Sequence, residues 1–190
     1  MIDERQRLFV AVPIGVELRG ALGAAVGAWR SDETLAGLRW ADPQGWHVTM
    51  AFLGATDASA VPALLERMAR VALRHGAMRA STGGLGAFPT PASARIAWYG
   101  VDDPEGRIAA LAADVDGAIG LDTSRPLRPH LTLARVRRQP VDLRSWLASA
   151  SAPEGEVVAD RIQLVRSHLG SGPARYETLA TMKLGVPAGV

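Results

Sequence analysis

Two stretches, WHVTMAFL at residues 46–53 and PHLTLARV at residues 129–136, repeat one order of residue types: histidine, apolar, threonine, apolar. Both stretches are rich in β-branched and large apolar residues, which favour strands. Side chains alternate between the two faces of a strand, so the histidine and the threonine of each repeat share one face. The repeats therefore predict two strands, from different halves of the chain, that each present an imidazole and a hydroxyl on the same side.

The hydrophobic pattern around these strands predicts further helices and strands in irregular order. Apolar residues at helical spacing predict helices over Leu18–Trp29, from Ser59 as N-cap through Ala72, from Asp103 as N-cap with Pro104 at the first helical position, and near Asp142–Leu147. Further strands are predicted at 7–13, 38–41, 78–88, 95–101, 156–169 and 175–184, the last two joined by the glycine-rich turn GSGP. Because several strand pairs are joined by turns, the order indicates an α+β fold with antiparallel sheets.

The composition excludes several classes of site. The 190 residues contain no cysteine, which excludes disulfides, zinc–thiolate sites and cysteine nucleophiles. The apolar run after MIDERQ is too short for a signal peptide or a membrane span, so a cytoplasmic protein with no membrane contact is expected. The net charge is +2, and all basic residues except Lys183 are arginine. This charge balance alone does not indicate a nucleic-acid partner.

The two repeats carry the groups that opening a cyclic phosphodiester requires. One neutral imidazole can take a proton from the attacking water, and one imidazolium can protonate the departing sugar oxygen. Threonine hydroxyls can donate to the non-bridging oxygens. The other two histidines do not repeat the pattern; His75 is interpreted as a residue at a helix C-terminus, and His168 has no assigned role. The sequence lacks H-x-x-x-H, H-x-H and H-E-x-x-H spacings and G-x-S-x-G, so neither a metal, a cofactor nor a serine nucleophile is expected.

The sequence resembles the bacterial and archaeal RNA 2',3'-cyclic phosphodiesterases of the two-histidine phosphoesterase superfamily, some of which were first described as 2'-5' RNA ligases. The likeness is carried by RLFVAVP, WHVTMAFLG, FPTPASARIAWYGV, RPHLTLARV and LVRSHLGSGPARYETLATMKL. The resemblance implies one two-lobed domain over residues 1–188. It also implies an α+β fold with two antiparallel sheets, helices on the outer faces, and a positively charged central cleft that carries the two His-x-Thr strands.

The resemblance also implies roles for five residues. His47 is expected to be the proton donor and His130 the proton acceptor, although the sequence itself is symmetric on this point. Thr49 and Thr132 are expected to hold the phosphate, together with Arg135. Strand parity opposes Arg135, because five residues after a histidine it should face away from the cleft unless the strand ends or bulges after Leu133.

The expected reaction is metal-independent hydrolysis of RNA 2',3'-cyclic phosphate ends, or of nucleoside 2',3'-cyclic phosphates, to 2'-phosphomonoesters by a monomeric enzyme. Reverse 2'-5' ligation would use the same site. Two alternatives stay open at this point. The first alternative is a phosphodiesterase for another small 2'-linked substrate, such as a 2'-5' oligonucleotide or an ADP-ribose cyclic phosphate. The second is a non-catalytic RNA-end binder.

Overall fold

The computed structural model describes residues 5–121, 127–136, 138–168 and 174–185. The strands in this part of the chain are β1 Arg5–Pro13, β2 Leu38–Trp40, β3 His47–Asp57, β4 Met78–Thr90, β5 Ser93–Val101, β6 His130–Val136, β7 Glu156–Ala159, β8 Arg161–His168 and β9 Arg175–Lys183. The helices are α1 Val16–Trp29, α2 Val61–Ala72, α3 Arg107–Ile119 and α4 Arg144–Ser149. Short 3-10 turns cover Glu33–Leu35, Pro43–Gly45 and Ala58–Ala60. The predicted GSGP turn lies outside the described residues.

The described strands form one sheet in the order β7-β4-β5-β6-β3-β1-β8-β9, with β2 paired to β6. Every pairing is antiparallel, which confirms the α+β fold with antiparallel strands. The two halves of the sheet meet where β3 pairs with β6, and this junction has a single register position, Val48 opposite Leu131. The two predicted sheets are thus two halves of a continuous sheet, joined through the strands that carry the repeats.

The apolar residues of the two repeats belong to the main core. Val48 and Leu131 are buried and lie in the same hydrophobic cluster as Leu22 of α1, Met68 of α2 and Leu111 of α3. The helices therefore cover the face of β3 and β6 that is opposite to their histidines. Because burial of apolar side chains is the dominant stabilising term, this packing determines which face of each strand is left open. No helix in the described ranges is long and apolar enough to cross a membrane.

Three predicted elements were wrong in detail. The predicted strand 156–169 is two strands interrupted at Asp160: β7 pairs with β4 in one half of the sheet, and β8 lies between β1 and β9 in the other. The apolar pattern runs through residues 156–168 because both strands contain buried residues. The break between them was not visible in the sequence, because it depends on which strand each one pairs with in the folded protein.

The two predicted helix starts also differ. Ser59 is not the N-cap of α2, because the Asp57 carboxylate accepts from the Ser59 N–H at 2.8 Å and holds Ser59 in a 3-10 turn. The helix then begins at Val61. Asp103 does not directly precede α3, since the chain first turns at Gly106 with φ +67° and the helix begins at Arg107. The Asp103 side chain still accepts a hydrogen bond from a backbone N–H of the first turns, that of Ala109, at 2.9 Å.

Candidate active site

A β-bulge in β6 determines where Arg135 lies. The register between β5 and β6 shifts between Ala97 and Trp98, which leaves one extra residue in β6. As a result, Leu133 and Ala134 are both buried although they are neighbours in sequence. A bulge of this kind restores the following residue to the face it would otherwise leave. Arg135 is exposed and lines the same cleft as the histidine and threonine of its repeat.

Strand β3 contains the matching bulge. The register between β1 and β3 shifts between Val10 and Ala11, and the neighbouring residues Met50 and Ala51 are both buried. Phe52 follows the bulge, lines the cleft and is 63% exposed. The two repeats are therefore alike in structure as well as in sequence. Phe52 in the first repeat occupies the position that Arg135 occupies in the second.

One open cleft of about 710 Å³ brings the predicted site residues together. It is lined by His47, Thr49, His130, Thr132 and Arg135, along with other residues. The other described histidines do not line it. His75 lies three residues beyond the end of α2 and its Nε2 is 3.0 Å from Asp114, whereas His168 Nε2 is 2.8 Å from Glu177 on the β8–β9 hairpin.

Both cleft histidines are held in the same tautomer by the backbone. His47 Nδ1 donates to the carbonyl oxygen of Gly45 at 2.6 Å, and His130 Nδ1 donates to that of Arg128 at 2.7 Å. Because a carbonyl only accepts, the hydrogen must be on Nδ1 in each ring. Nε2 is then the atom that accepts a proton in the neutral form and donates it in the charged form. Each ring is therefore ready for either half of an acid–base reaction.

Aromatic rings orient His47. Its ring stacks on Phe9 at 4.7 Å between centroids and meets the edge of Tyr176 at 5.3 Å. Tyr176 packs closely over Gly45, where a Cβ atom would stand 2.9 Å from the phenol ring. Gly45, whose carbonyl oxygen accepts from His47 Nδ1, therefore has no room for a side chain, because the Tyr176 ring occupies that space.

His130 has two aromatic neighbours of its own. Phe88 meets its ring edge-on at 5.2 Å, and Trp98 is tilted at 6.2 Å. Trp98 in turn lies over Gly86 on β4, where a Cβ would stand 2.1 Å from the indole. Sequence reasoning missed these aromatic residues, since they come from β4 and β5 and no local spacing connects them to a histidine. The signal in the sequence that could have found them is the family resemblance, because Phe88 and Trp98 both lie in its segment FPTPASARIAWYGV.

The environment lowers the pKa of both histidines. Burial is the main cause for His47 and His130, and the hydrogen bond from each ring to its carbonyl partly offsets it. The positive charge of Arg135 lowers the pKa of both, and the charge of His130 lowers that of His47. A bound phosphate would oppose these shifts, because a nearby anion favours the charged imidazolium.

The cleft also contains cations that the sequence did not single out. Arg7 and Arg39 line it together with Arg135, and the acidic residue among them is Asp42, whose Oδ1 accepts from the Gln44 N–H at 2.9 Å. Among the described residues that line the cleft, three guanidiniums face one carboxylate, and this excess of positive charge suits an anionic ligand. Within the described ranges there is no group of three or more metal-ligating side chains.

Known proteins match this chain along most of its length. The model of the 2'-5' RNA ligase superfamily matches residues 19–171. A protein of Geobacillus stearothermophilus named RNA 2',3'-cyclic phosphodiesterase is 33% identical, over 98% of this chain and 60% of that protein, so the chain spans less than two thirds of that relative. A protein of the same name from Archaeoglobus fulgidus is 30% identical, over 70% of this chain and 74% of that protein. A crystal structure from Thermus thermophilus superposes with a TM-score of 0.74 at 26% identity, over 95% of this chain and 98% of the other.

Proposed function

The chain belongs to the 2'-5' RNA ligase superfamily, and from that premise we propose that it hydrolyses 2',3'-cyclic phosphate ends of RNA to 2'-phosphomonoesters without a metal. The observation that carries the proposal is the pair of imidazoles with matched Nδ1 tethers, both lining one positive cleft. Two proton-transfer groups with defined tautomers are the equipment that this reaction needs. The names of the relatives support the same substrate class.

The proposed step conserves protons within the site. A water oxygen forms a bond to phosphorus while the bond from phosphorus to the 3' oxygen breaks. One neutral imidazole takes the proton of the water at Nε2, and the other, as imidazolium, gives its Nε2 proton to the 3' oxygen. Thr49 and Thr132 donate to the non-bridging oxygens, and the Arg135 guanidinium neutralises charge as it develops. With a 5' hydroxyl in place of the water, the same step would form a 2'-5' phosphodiester and join two RNA ends, while the 3' oxygen again leaves with a proton.

For the two histidines we propose the roles that the resemblance implies, His47 as donor and His130 as acceptor. Burial and the charge of Arg135 lower the pKa of both rings, so these shifts do not assign the order. The roles are therefore tested on bound substrate, with sulfur in place of the bridging 3' oxygen. A thiolate leaves without a proton, so the variant that lacks the donor should recover activity and the variant that lacks the acceptor should not. Rescue of His130→Asn rather than His47→Asn would reverse the assignment.

The function itself is tested with purified protein in EDTA. Nucleoside 2',3'-cyclic phosphates and 2'-5' dinucleotides are offered separately, and the phosphate isomer of the product is identified by ³¹P NMR. Formation of a 2'-monoester from the cyclic phosphate supports the proposal. Complete loss of activity in EDTA contradicts the metal-free mechanism. Cleavage of the dinucleotide alone favours another 2'-linked substrate, and tight binding without turnover favours an RNA-end binder.

We also propose that a monomer is the active form, since one chain supplies both histidines, both threonines and Arg135 to the cleft. Sedimentation measured at the enzyme concentration of the assay tests this, and a stable dimer under those conditions would contradict it.

A further inference from the structure

Arg39 holds an electrostatically unfavourable position in the sheet. It lies on β2 directly opposite Arg135 on β6, and both residues line the cleft. Residues directly opposite in an antiparallel pair have Cβ atoms about 5 Å apart, and like charges in this arrangement destabilise the pair. The sheet therefore places two positive charges side by side where hydrophobic packing alone would not require them.

Among the ion pairs of the described residues, none involves Arg39 or Arg135. The cleft carboxylate, Asp42, accepts from a backbone N–H of its own turn. Two guanidiniums without a carboxylate form a site that an anion would stabilise, and each can hold two phosphate oxygens.

The two arginines lie on different strands. Arg135 lies on β6, the strand that also carries His130, whereas Arg39 lies on the short strand β2 that flanks β6. Arg135 is thus the inner cation of the pair and Arg39 the outer one. Next to Arg39, Trp40 also lines the cleft and stacks on Trp29 at 6.3 Å, which anchors the short strand β2.

We propose that Arg39 binds the phosphodiester that precedes the terminal nucleotide of the substrate, and that this contact makes the site select an RNA chain end over a free nucleoside cyclic phosphate. The proposal rests on the proposed function, because Arg135 is then occupied by the cyclic phosphate. In an RNA chain the next anion along is the preceding phosphodiester, and a mononucleotide lacks it. Arg39 is in this sense a specificity residue rather than a participant in bond breaking.

The test compares two substrates that share one reacting end: adenosine 2',3'-cyclic phosphate, and a dinucleotide that terminates in it. In Arg39→Ala, the ratio of kcat/KM for the dinucleotide to kcat/KM for the mononucleotide should fall about tenfold or more, as expected for a lost hydrogen bond between charged groups. The slope of log kcat/KM against log salt for the dinucleotide should become shallower by about 0.7. Arg67→Ala removes the same charge from an exposed position on α2, outside the cleft, and should leave the ratio and the slope unchanged.

Three outcomes of the comparison would overturn the proposal. An equal loss on both substrates would place Arg39 on the cyclic phosphate itself, and an unchanged ratio would show that it touches no second phosphate. If this ratio falls in Arg7→Ala and not in Arg39→Ala, the preceding phosphodiester of the RNA binds on the Arg7 side of the cleft. If Arg39→Ala fails to fold, Arg39→Gln keeps most of the side chain and is held to the same ratio. Failure of the wild-type protein on both substrates would count against the proposed function instead.

Discussion

Replacing His130 with asparagine separates two properties of the imidazole, its backbone hydrogen bond and its proton transfer. The His130 Nδ1 atom donates to the Arg128 carbonyl at 2.7 Å. An asparagine amide nitrogen can occupy nearly the position of Nδ1 and donate to the same oxygen, but no atom then replaces Nε2. Alanine removes both. The pair of variants therefore tests whether the tether holds the ring in place and whether Nε2 does the chemistry.

The expected magnitudes differ widely between the two readouts. A neutral hydrogen bond contributes about 0.5–1.5 kcal/mol, and each kcal/mol shifts the Tm of a domain of this size by about 2–4 °C. His130→Ala should therefore lower the Tm by about 1–6 °C, and the loss of its contact with Phe88 would add to this. His130→Asn should stay closer to the wild-type Tm. Both variants should lose about 10²–10⁴ in turnover, equivalent to about 2.7–5.4 kcal/mol of transition-state stabilisation.

The assay combines initial rates on a nucleoside 2',3'-cyclic phosphate with thermal unfolding followed by circular dichroism. A His130→Asn variant that keeps more than about a tenth of wild-type turnover would refute the role of Nε2. If asparagine and alanine lower the Tm equally, the hydrogen bond to the carbonyl does not stabilise the fold. His47→Asn and His47→Ala form the matched pair at the other tether, where Nδ1 is 2.6 Å from its carbonyl oxygen.

Three further predictions concern the residues around the histidines. Thr49→Val and Thr132→Val should preserve the strands, and each should cost about 1–3 kcal/mol of transition-state stabilisation in kcat/KM; unchanged rates in both would make the hydroxyls ordinary strand residues. Arg135→Ala should raise the pKa of both histidines, because it removes a positive charge that disfavours their protonation. The bell-shaped profile of kcat/KM against pH should then move to higher pH, and its maximum should fall. Arg135→Lys keeps the charge and should shift the profile less. A profile that does not move would exclude the proximity of this charge. Gly86→Ala would place a Cβ 2.1 Å from the indole of Trp98, which lies beside His130. This variant should lower the free energy of unfolding by about 1–3 kcal/mol and should also lower activity. The control Gly20→Ala lies on a helix face with nothing within 4 Å of the added Cβ, and it should raise the free energy of unfolding by up to about 1 kcal/mol, measured by thermal unfolding.

The sequence by itself determined the antiparallel α+β class and the shared face of each His-x-Thr pair. Both depend on local periodicity: apolar residues at every second position of the repeats are buried, and this assigns the intervening side chains to the opposite face. The burial of Val48 and Leu131 against the helices follows that rule. The roles of the histidines and threonines in catalysis stay predictions, to be tested by the variants above.

Only the tertiary structure decided the position of Arg135, the separation of β7 from β8, and the opposition of Arg39 and Arg135. Strand parity in the sequence opposed a cleft position for Arg135, and the bulge at Leu133 and Ala134 reverses it. A bulge, a change of strand partner and a cross-strand pair are each defined by hydrogen bonds to another strand distant in sequence. The alternation of side chains along one strand does not depend on which strand it pairs with or in which register. These features therefore could not be predicted from the sequence.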